Sequence, residues 1–490
     1  MKYRIGIDIG TTSIKAVLYG ENLERISMAS KGYKTYHEQL GYAEQEPVEV
    51  LQAFYKVMRE VLEPVGEKAA EVELLSFSSA MHSLILVGED NKLLTRSIIW
   101  SDNRSVKEVE EFKLKEDWKR HYQNTGTPIH SMSPFFKLMW FRKNTSLLEK
   151  TRKIIGIKEY ILYHLTGEYS TDYSIASATG MFNIHTLTWD EKALRYLGIS
   201  EEQLPCLKDV TEKVSIINRE FLVDSGLSSD LSFMMGASDG CLANLGSRAL
   251  HKGETTLTIG TSGAVRMTVD KPVLDREGRT FCYYMKKDRW IIGGAVNNGG
   301  NVLERLGQVL NENEGSIYSD LEDRVKEVSP GSDGLLFIPY LYGERAPHWD
   351  GRLHASYIGM SGFHGKNHLI RSVIEGITYN LREVWEVLSA LSGESTVLIA
   401  SGGFLKSDAW TSILSDIFGK DIEIADSVDS SCLGAVLLDD ELAYPMERNA
   451  SVKIHCNHKN HKEYQLYYEK YLWYSKKMIE LQKEADNRFK

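Results

Sequence analysis

An α/β protein of two large domains is what the sequence predicts, on three observations. Strand-like apolar runs alternate with amphipathic helical stretches through the first half of the chain. Nearly the same glycine–hydroxyl turn ends a β-type run at two places about half the chain apart. These are Ile5-Gly6-Ile7-Asp8-Ile9-Gly10-Thr11-Thr12-Ser13 and Leu257-Thr258-Ile259-Gly260-Thr261-Ser262-Gly263. Finally, 490 residues exceed what one hydrophobic core serves.

Taken in order, residues 4–9 and 14–19 read as strands joined by the Gly10–Ser13 turn, hence a hairpin. After Pro47, the residues Val48, Leu51, Tyr55, Met58 and Leu62 recur at helical spacing. Short apolar runs at 72–77, 84–87 and 97–100 are further strands, with Glu89-Asp90-Asn91 turning between the last two. Helices are expected near 134–143 and over Lys158–Leu165, in the body of a substrate domain. Glycine-rich signals resume near 245–256, which sets domains at 1–246 and 247–445 and a helical extension at 446–490. Val373, Ile374, Ile377, Leu381, Val384 and Leu388 form a long helical stripe, followed by a strand at Val397–Ala400. The last thirty residues, rich in Tyr, Lys and Glu, read as one amphipathic helix packed on the outside.

Composition excludes several classes. A net charge of −10 lacks the basic footprint of a nucleic-acid binder. No apolar run approaches membrane-spanning length, and Asp8 interrupts the first apolar stretch, so that stretch is a strand and not a secretory signal. The five cysteines are scattered and odd in number, a reduced, cytoplasmic pattern. A homodimer is left open. His455, Cys456, His458 and His461 fit no closed tetrahedral metal spacing and read as a solvated loop.

The two turns carry the chemistry. Consecutive backbone N–H groups make a concave oxyanion site, and two such sites suggest a duplicated fold closing on one nucleotide from both sides. Asp8 adds a hard oxygen ligand for Mg²⁺, directly or through water. Lys15 lies two residues past the first turn, where it either meets a phosphate or stands as a solvated strand lysine. Asp239, in Gly236-Ala237-Ser238-Asp239-Gly240, closes a strand and opens a helix. It is either the base that takes the proton of an attacking hydroxyl or a helix cap. Ser401-Gly402-Gly403 and Asn297-Asn298-Gly299-Gly300 either admit a nucleotide close to the backbone or are plain strand–helix turns.

Two longer signatures resemble the FGGY carbohydrate kinases. One is Met132-x-Pro134-x-x-Lys137-Leu138-x-Trp140-Phe141-x-Lys143-Asn144. The other is Ala355-x-Tyr357-x-Gly359-Met360, then, after seven residues, His368-Leu369-x-x-Ser372-Val373-Ile374-Glu375. The resemblance implies two actin-like (ribonuclease H-like) ATPase domains with an interdomain cleft, and ATP with Mg²⁺ as cofactors. It makes Asp239 the catalytic base and Asp8 the Mg²⁺-associated aspartate. Thr11, Thr12 and Ser13 match the first phosphate turn, and Gly260 with Thr261 the second. Gly300 and Gly403 match backbone positions along the nucleotide, with Glu304 and Ser407 next to it where relatives often carry amides.

For the acceptor, Met81-His82 stands where glycerol kinases carry an Arg-Glu pair, which turns the reading from glycerol to sugars. The combination of Ala80-Met81-His82-Ser83, Trp100-Ser101-Asp102-Asn103-Arg104-Ser105, Asn297-Asn298-Gly299-Gly300 and Gly343-Glu344-Arg345-Ala346-Pro347 resembles the gluconate kinases within the family. Xylulose kinases share only part of the set. The resemblance thus implies transfer from ATP to the terminal hydroxyl of D-gluconate. A carboxylate substrate needs a cationic partner, for which Arg345, Arg104 and His82 are candidates, while Asp102 suits polyol hydroxyls. Two alternatives stand beside these roles: Arg104 and Asp102 pairing with each other, and Arg345 anchoring a loop.

Overall fold

Isoleucine at every second position sets the first strand, β1 (Tyr3–Ile9), with Ile5, Ile7 and Ile9 buried on one face. The computed structural model of the protein describes residues 2–115, 117–310, 316–425, 429–439 and 452–488. It divides into two compact units: Met1–Leu250 with Val269–Ile291 and Asp429–Met446, and His251–Thr268 with Ile292–Val428 and Glu447–Lys490. The 445/446 boundary expected from the sequence lies outside the described residues.

In the first unit β1 is antiparallel to β2 (Ser13–Tyr19), and β2 to β3 (Arg25–Gly32). Helix α1 (Pro47–Leu62) begins on a proline, whose missing N–H costs nothing in the first turn. It buries Val50, Phe54, Val57, Met58 and Val61 in the same core as the isoleucines of β1. The strand β4 (Val72–Ser79) runs parallel to β1 on its other side. Helices α2 (Pro134–Asn144), α3 (Ile157–Thr166) and α4 (Tyr173–Ser177) follow. Then come β5 (Lys213–Ser215) and β6 (Ser232–Ser238), the latter parallel to β4, giving the order β5-β6-β4-β1-β2-β3. Helix α5 (Asp239–Gly246) leaves the end of β6.

A late segment completes this unit. The helix Ser430–Leu437 lies so close to α5 that a Cβ on Gly246 would sit 1.8 Å from the Ser430 carbonyl oxygen. One on Gly434 would sit 1.9 Å from that of Leu242, and one on Gly6 2.0 Å from that of Cys432. Real Cβ contacts never come that near, so glycine is required at all three crossings. Neither β3 nor this helix was expected from the sequence; β3 is mostly exposed and the helix is short.

In the second unit β7 (Glu254–Ile259) is antiparallel to β8 (Gly263–Val269), beyond which lies β9 (Arg289–Val296), within this unit from Ile292 on. On its other side β7 is parallel to β10 (Val397–Ser401), β10 to β11 (Ile422–Ile424), and β11 is antiparallel to β12 (Lys453–Ile454). Within a seven-stranded sheet, the order β9-β8-β7-β10-β11-β12 repeats that of the first unit's six strands, with a hairpin, two parallel neighbours and an antiparallel edge. The helices are α6 (Gly300–Val309), α7 (Lys366–Ser392), α8 (Asp408–Phe418) and α9 (His458–Arg488). The long apolar stripe is the buried face of α7. On α9, Tyr464, Tyr468 and Tyr471 pack on Tyr379 of α7. Of the segment expected to be a solvated loop, His455 and Cys456 precede α9, His455 pairing with Asp421 at 2.9 Å, but His458 and His461 belong to its first turn, where His461 Nδ1 bonds the Asp416 main-chain carbonyl at 2.8 Å.

Candidate active site

Three parallel strands of the first unit end side by side, and their carboxyl ends collect its candidate residues. In register, Ile9 of β1 lies beside Ser79 of β4, and Ser79 beside Ser238 of β6. Asp8 and Asp239 therefore flank this row two strands apart, roughly 10 Å between backbones at ordinary strand spacing. Both are half-buried. Asp8 accepts a hydrogen bond from Ser78 at 2.7 Å. Burial pushes its carboxyl above the usual range, while the Ser78 bond and the Lys15 charge pull it back. Asp239 is the first residue of α5, with Ser238 in the cap position, and its Oδ1 accepts from the Gly240 amide at 2.6 Å.

The first turn is braced by side chains. Trp100 Nε1 donates to Thr11 Oγ1 at 3.0 Å, Tyr33 hydroxyl donates to the Gly10 carbonyl, and Gln45 donates to that of Thr11. Thr12 is exposed and Ser13 half-buried at the start of β2. Lys15 Nζ bonds Asp429 at 2.9 Å, and Asp429 also takes Arg25 at 3.2 Å. Burial lowers the Lys15 pKa, but Asp429 more than compensates and holds it above its ordinary value. The structure thus places Lys15 on a carboxylate ahead of the late helix.

The loops at 80–83 and 100–104 are pinned from below. His82, at φ 70° and buried, bonds the Ala178 carbonyl at 2.7 Å through Nδ1, so that nitrogen carries the proton. Met81 beside it is half-buried. Asp102 is fully buried and bonded by Arg104 at 2.8 Å through both Nε and Nη2 and by the Ala43 amide at 2.8 Å. Arg104 also reaches Glu44 at 2.5 Å and stacks 3.9 Å over Tyr42. The two residues hold each other, the bland alternative of the sequence reading.

The sequence reading gave no role to Lys137, which lies in the first signature. It is fully buried on α2, and its ammonium donates to the carbonyls of His82 at 2.7 Å, Ile99 at 2.8 Å and Ile98 at 3.5 Å. One cation thereby fixes both loops. Burial pulls its pKa down to about 7, against which the nearby Asp102 works. A lysine inside the apolar turn Pro134-Phe135-Phe136-Lys137-Leu138 was the available signal.

In the second unit the predicted glycines meet. The Gly300 amide donates to the Gly260 carbonyl at 2.8 Å, and the Asn301 amide to that of Thr261 at 3.2 Å. Gly402 has φ 113°, and a Cβ there would stand 2.2 Å from the Ile259 carbonyl oxygen. Around Gly260 and Gly403 there is open space. The result is a turn walled by backbone on one side and open at Gly260 and Gly403. Glu304 is exposed and accepts from Tyr318 at 3.4 Å. Ser407 is buried and engaged as the cap of α8, donating to Glu322 at 2.6 Å and accepting from the Trp410 amide at 3.1 Å.

Arg345 donates to the Val296 carbonyl at 3.0 Å. Next to it Glu344 is fully buried and accepts from the Asn297 and Arg345 amides at 2.6 and 2.8 Å, and from Asn298 and Asn380 side chains at 2.9 and 2.8 Å. It ties the loop 343–346 to the one that enters α6. Burial raises its pKa to about 7.

The N-terminal domain model of the FGGY family of carbohydrate kinases matches residues 3–246, and the C-terminal domain model matches 255–439. The chain belongs to the FGGY family of carbohydrate kinases. This FGGY kinase is 44% identical over 448 residues to a gluconokinase of Bacillus subtilis (strain 168), covering 89% of this chain and 86% of that one. Its fold matches two Lactobacillus acidophilus crystal structures. One is a ligand-bound xylulose kinase, at TM-score 0.92 and 35% identity, covering 98% of this chain and 99% of that one. The other is a gluconate kinase, at TM-score 0.92 and 35% identity, covering 97% and 98%. The repeated sheets of its two units are thus those of the actin-like, ribonuclease H-like kinases.

Proposed function

We propose that this FGGY kinase transfers the γ-phosphoryl group of ATP to the terminal hydroxyl of D-gluconate, giving 6-phospho-D-gluconate and ADP. The observation that carries the reading is Asp8 and Asp239 at the ends of two parallel strands separated by the one that leads into His82. The likeness to the Bacillus subtilis gluconokinase supports gluconate as the acceptor.

Asp239 accepts the hydroxyl proton as that oxygen attacks the γ-phosphorus. The new P–O bond forms while the bond to the bridging oxygen breaks, and ADP leaves. The amides and hydroxyls of Thr11, Thr12 and Ser13 carry charge on the transferred group, as do Gly260 and Thr261 on the other phosphates. Gly300, Gly402 and Gly403 line the nucleoside. Among the described residues no three acidic, His or Cys side chains form a metal cage. One half-buried carboxylate among hydroxyls fits Mg²⁺, which keeps waters and phosphate oxygens as its other ligands. Asp8 would hold it, and bound there it would neutralise phosphate charge. His82, whose Nδ1 donates to the Ala178 carbonyl, is proposed as a contact for a sugar hydroxyl. Asp102 and Arg104 act by fixing the loop that carries Trp100. Arg345 is proposed as a contact for the substrate carboxylate. The proposed enzyme works in the cytoplasm.

The same fold match holds for a xylulose kinase, so a pentulose is the second reading. A coupled ADP-release assay over gluconate, D-xylulose and other polyols decides. Gluconate should give the highest kcat/KM, and a higher value with xylulose would replace the acceptor while leaving the kinase intact.

A further inference from the structure

A cavity in the first unit shares no residue with the groups assigned above. It has a volume of about 410 Å³, within the range of small-molecule sites. His121 and Tyr196, both half-buried, face it, with Phe112 and Phe135 buried behind them. His121 lies over Phe135 with ring centres 4.2 Å apart, and Phe112 meets His121 and Tyr196 edge-on at 5.4 Å. Burial pulls the His121 pKa down to about 4, so its ring is neutral at physiological pH.

The rim is charged and unequal. Arg120, Lys192 and Arg195 stand exposed around the cavity, against one exposed acid, Asp117. Among the described residues Arg120 and Lys192 make no ion pair, and Arg195 meets only the exposed Glu191, at 4.0 Å. The acid at the base, Asp190, is taken up by protein donors: Asn124 at 3.0 Å, Asn183 at 3.2 Å and the Ala193 amide at 2.8 Å. Its charge is therefore met from within, and the rim's excess is positive.

We propose that this cavity binds a small anion bearing a flat aromatic ring, with the ring against His121 and Tyr196 and the charge at Arg120, Lys192 and Arg195. Aromatic faces take rings, and guanidinium forks take phosphate or carboxylate oxygens.

Calorimetric titration of the full-length protein, with ADP saturating the nucleotide site, tests this with three probes: phenyl phosphate, inorganic phosphate and phenol. Phenyl phosphate should bind saturably and at least tenfold more tightly than either fragment. The exposed-rim variant R120E/K192E/R195E should lose at least tenfold in that affinity while keeping wild-type turnover. No saturable binding of phenyl phosphate, equal binding of phosphate alone, or unchanged affinity in a folded variant would overturn the site. The probe series on the unmodified protein decides alone if the variant misfolds. None of these outcomes depends on which sugar is phosphorylated.

Discussion

The turns at Gly10–Ser13 and Gly260–Gly263 leave equivalent hairpins of equivalent sheets, yet they are built differently. The first follows a carboxylate, Asp8, and is braced by the side chains of Trp100, Tyr33 and Gln45. The second has no acid at that place and is braced by backbone, from the amides of Gly300 and Asn301. The neighbouring parallel strand repeats the contrast. Each leads into a residue at positive φ, His82 in one unit and Gly402 in the other. A duplicated frame has thus been given side-chain bracing at the turn the proposed function assigns to the transferred phosphoryl group, and backbone bracing at the turn it assigns to the other phosphates.

The sharpest break of this contrast is Asp239→Ala. Loss of the base should lower kcat by about 10³-fold, with ATP affinity by calorimetry near wild type. Turnover within a few-fold of wild type would remove Asp239 from the chemistry. Gly402→Ala tests the other half: a Cβ meets the Ile259 carbonyl, so KM for ATP should rise about tenfold, an order set by roughly 1.4 kcal/mol of lost binding, while KM for the sugar holds. Equal rises in both would erase the division of labour.

Lys137→Met leaves three loop carbonyls without their donor. At ~1 kcal/mol or more for each such group, the melting temperature should fall, and KM for the sugar should rise more than KM for ATP. Glu344 supplies a pH test. Its folded pKa of about 7 lies above the ordinary 4.5, so between these values the native state keeps a proton that the unfolded chain has released. Its contribution is full below pH 4.5 and is lost as pH rises through 7, at up to about 1.4 kcal/mol per pH unit. Urea unfolding across that window should show this slope, and Glu344→Gln should flatten it. The smallest effect belongs to Trp100→Phe, which removes one hydrogen bond to Thr11, about 1 kcal/mol. A several-fold loss in kcat/KM is expected, with no change in KM for ATP.

Much of this was legible in the chain. The hairpin turns, α1 and α7 follow from period and punctuation, because each buries one regular face. The family signatures gave the kinase. The roles of Asp102 and Arg104 were not decidable, since a polar pair near a loop reads alike whether it faces substrate or itself. Lys137 went unassigned because its partners are backbone carbonyls from two distant segments, which no local pattern records. The helix Ser430–Leu437 escaped for a related reason: its glycine at 434 looks like a breaker until Leu242 is seen against it.

That helix also bears on how the molecule comes into being. It covers Val17 and Tyr19 with Cys432 and Val436, and Asp429 ahead of it takes the charge of Lys15. During translation the first sheet can assemble early, but one flank stays bare until residue 437 has left the ribosome. The earliest-made half of the enzyme is therefore among the last to be finished, and a nascent chain halted at residue 250 would present that uncovered flank to chaperones.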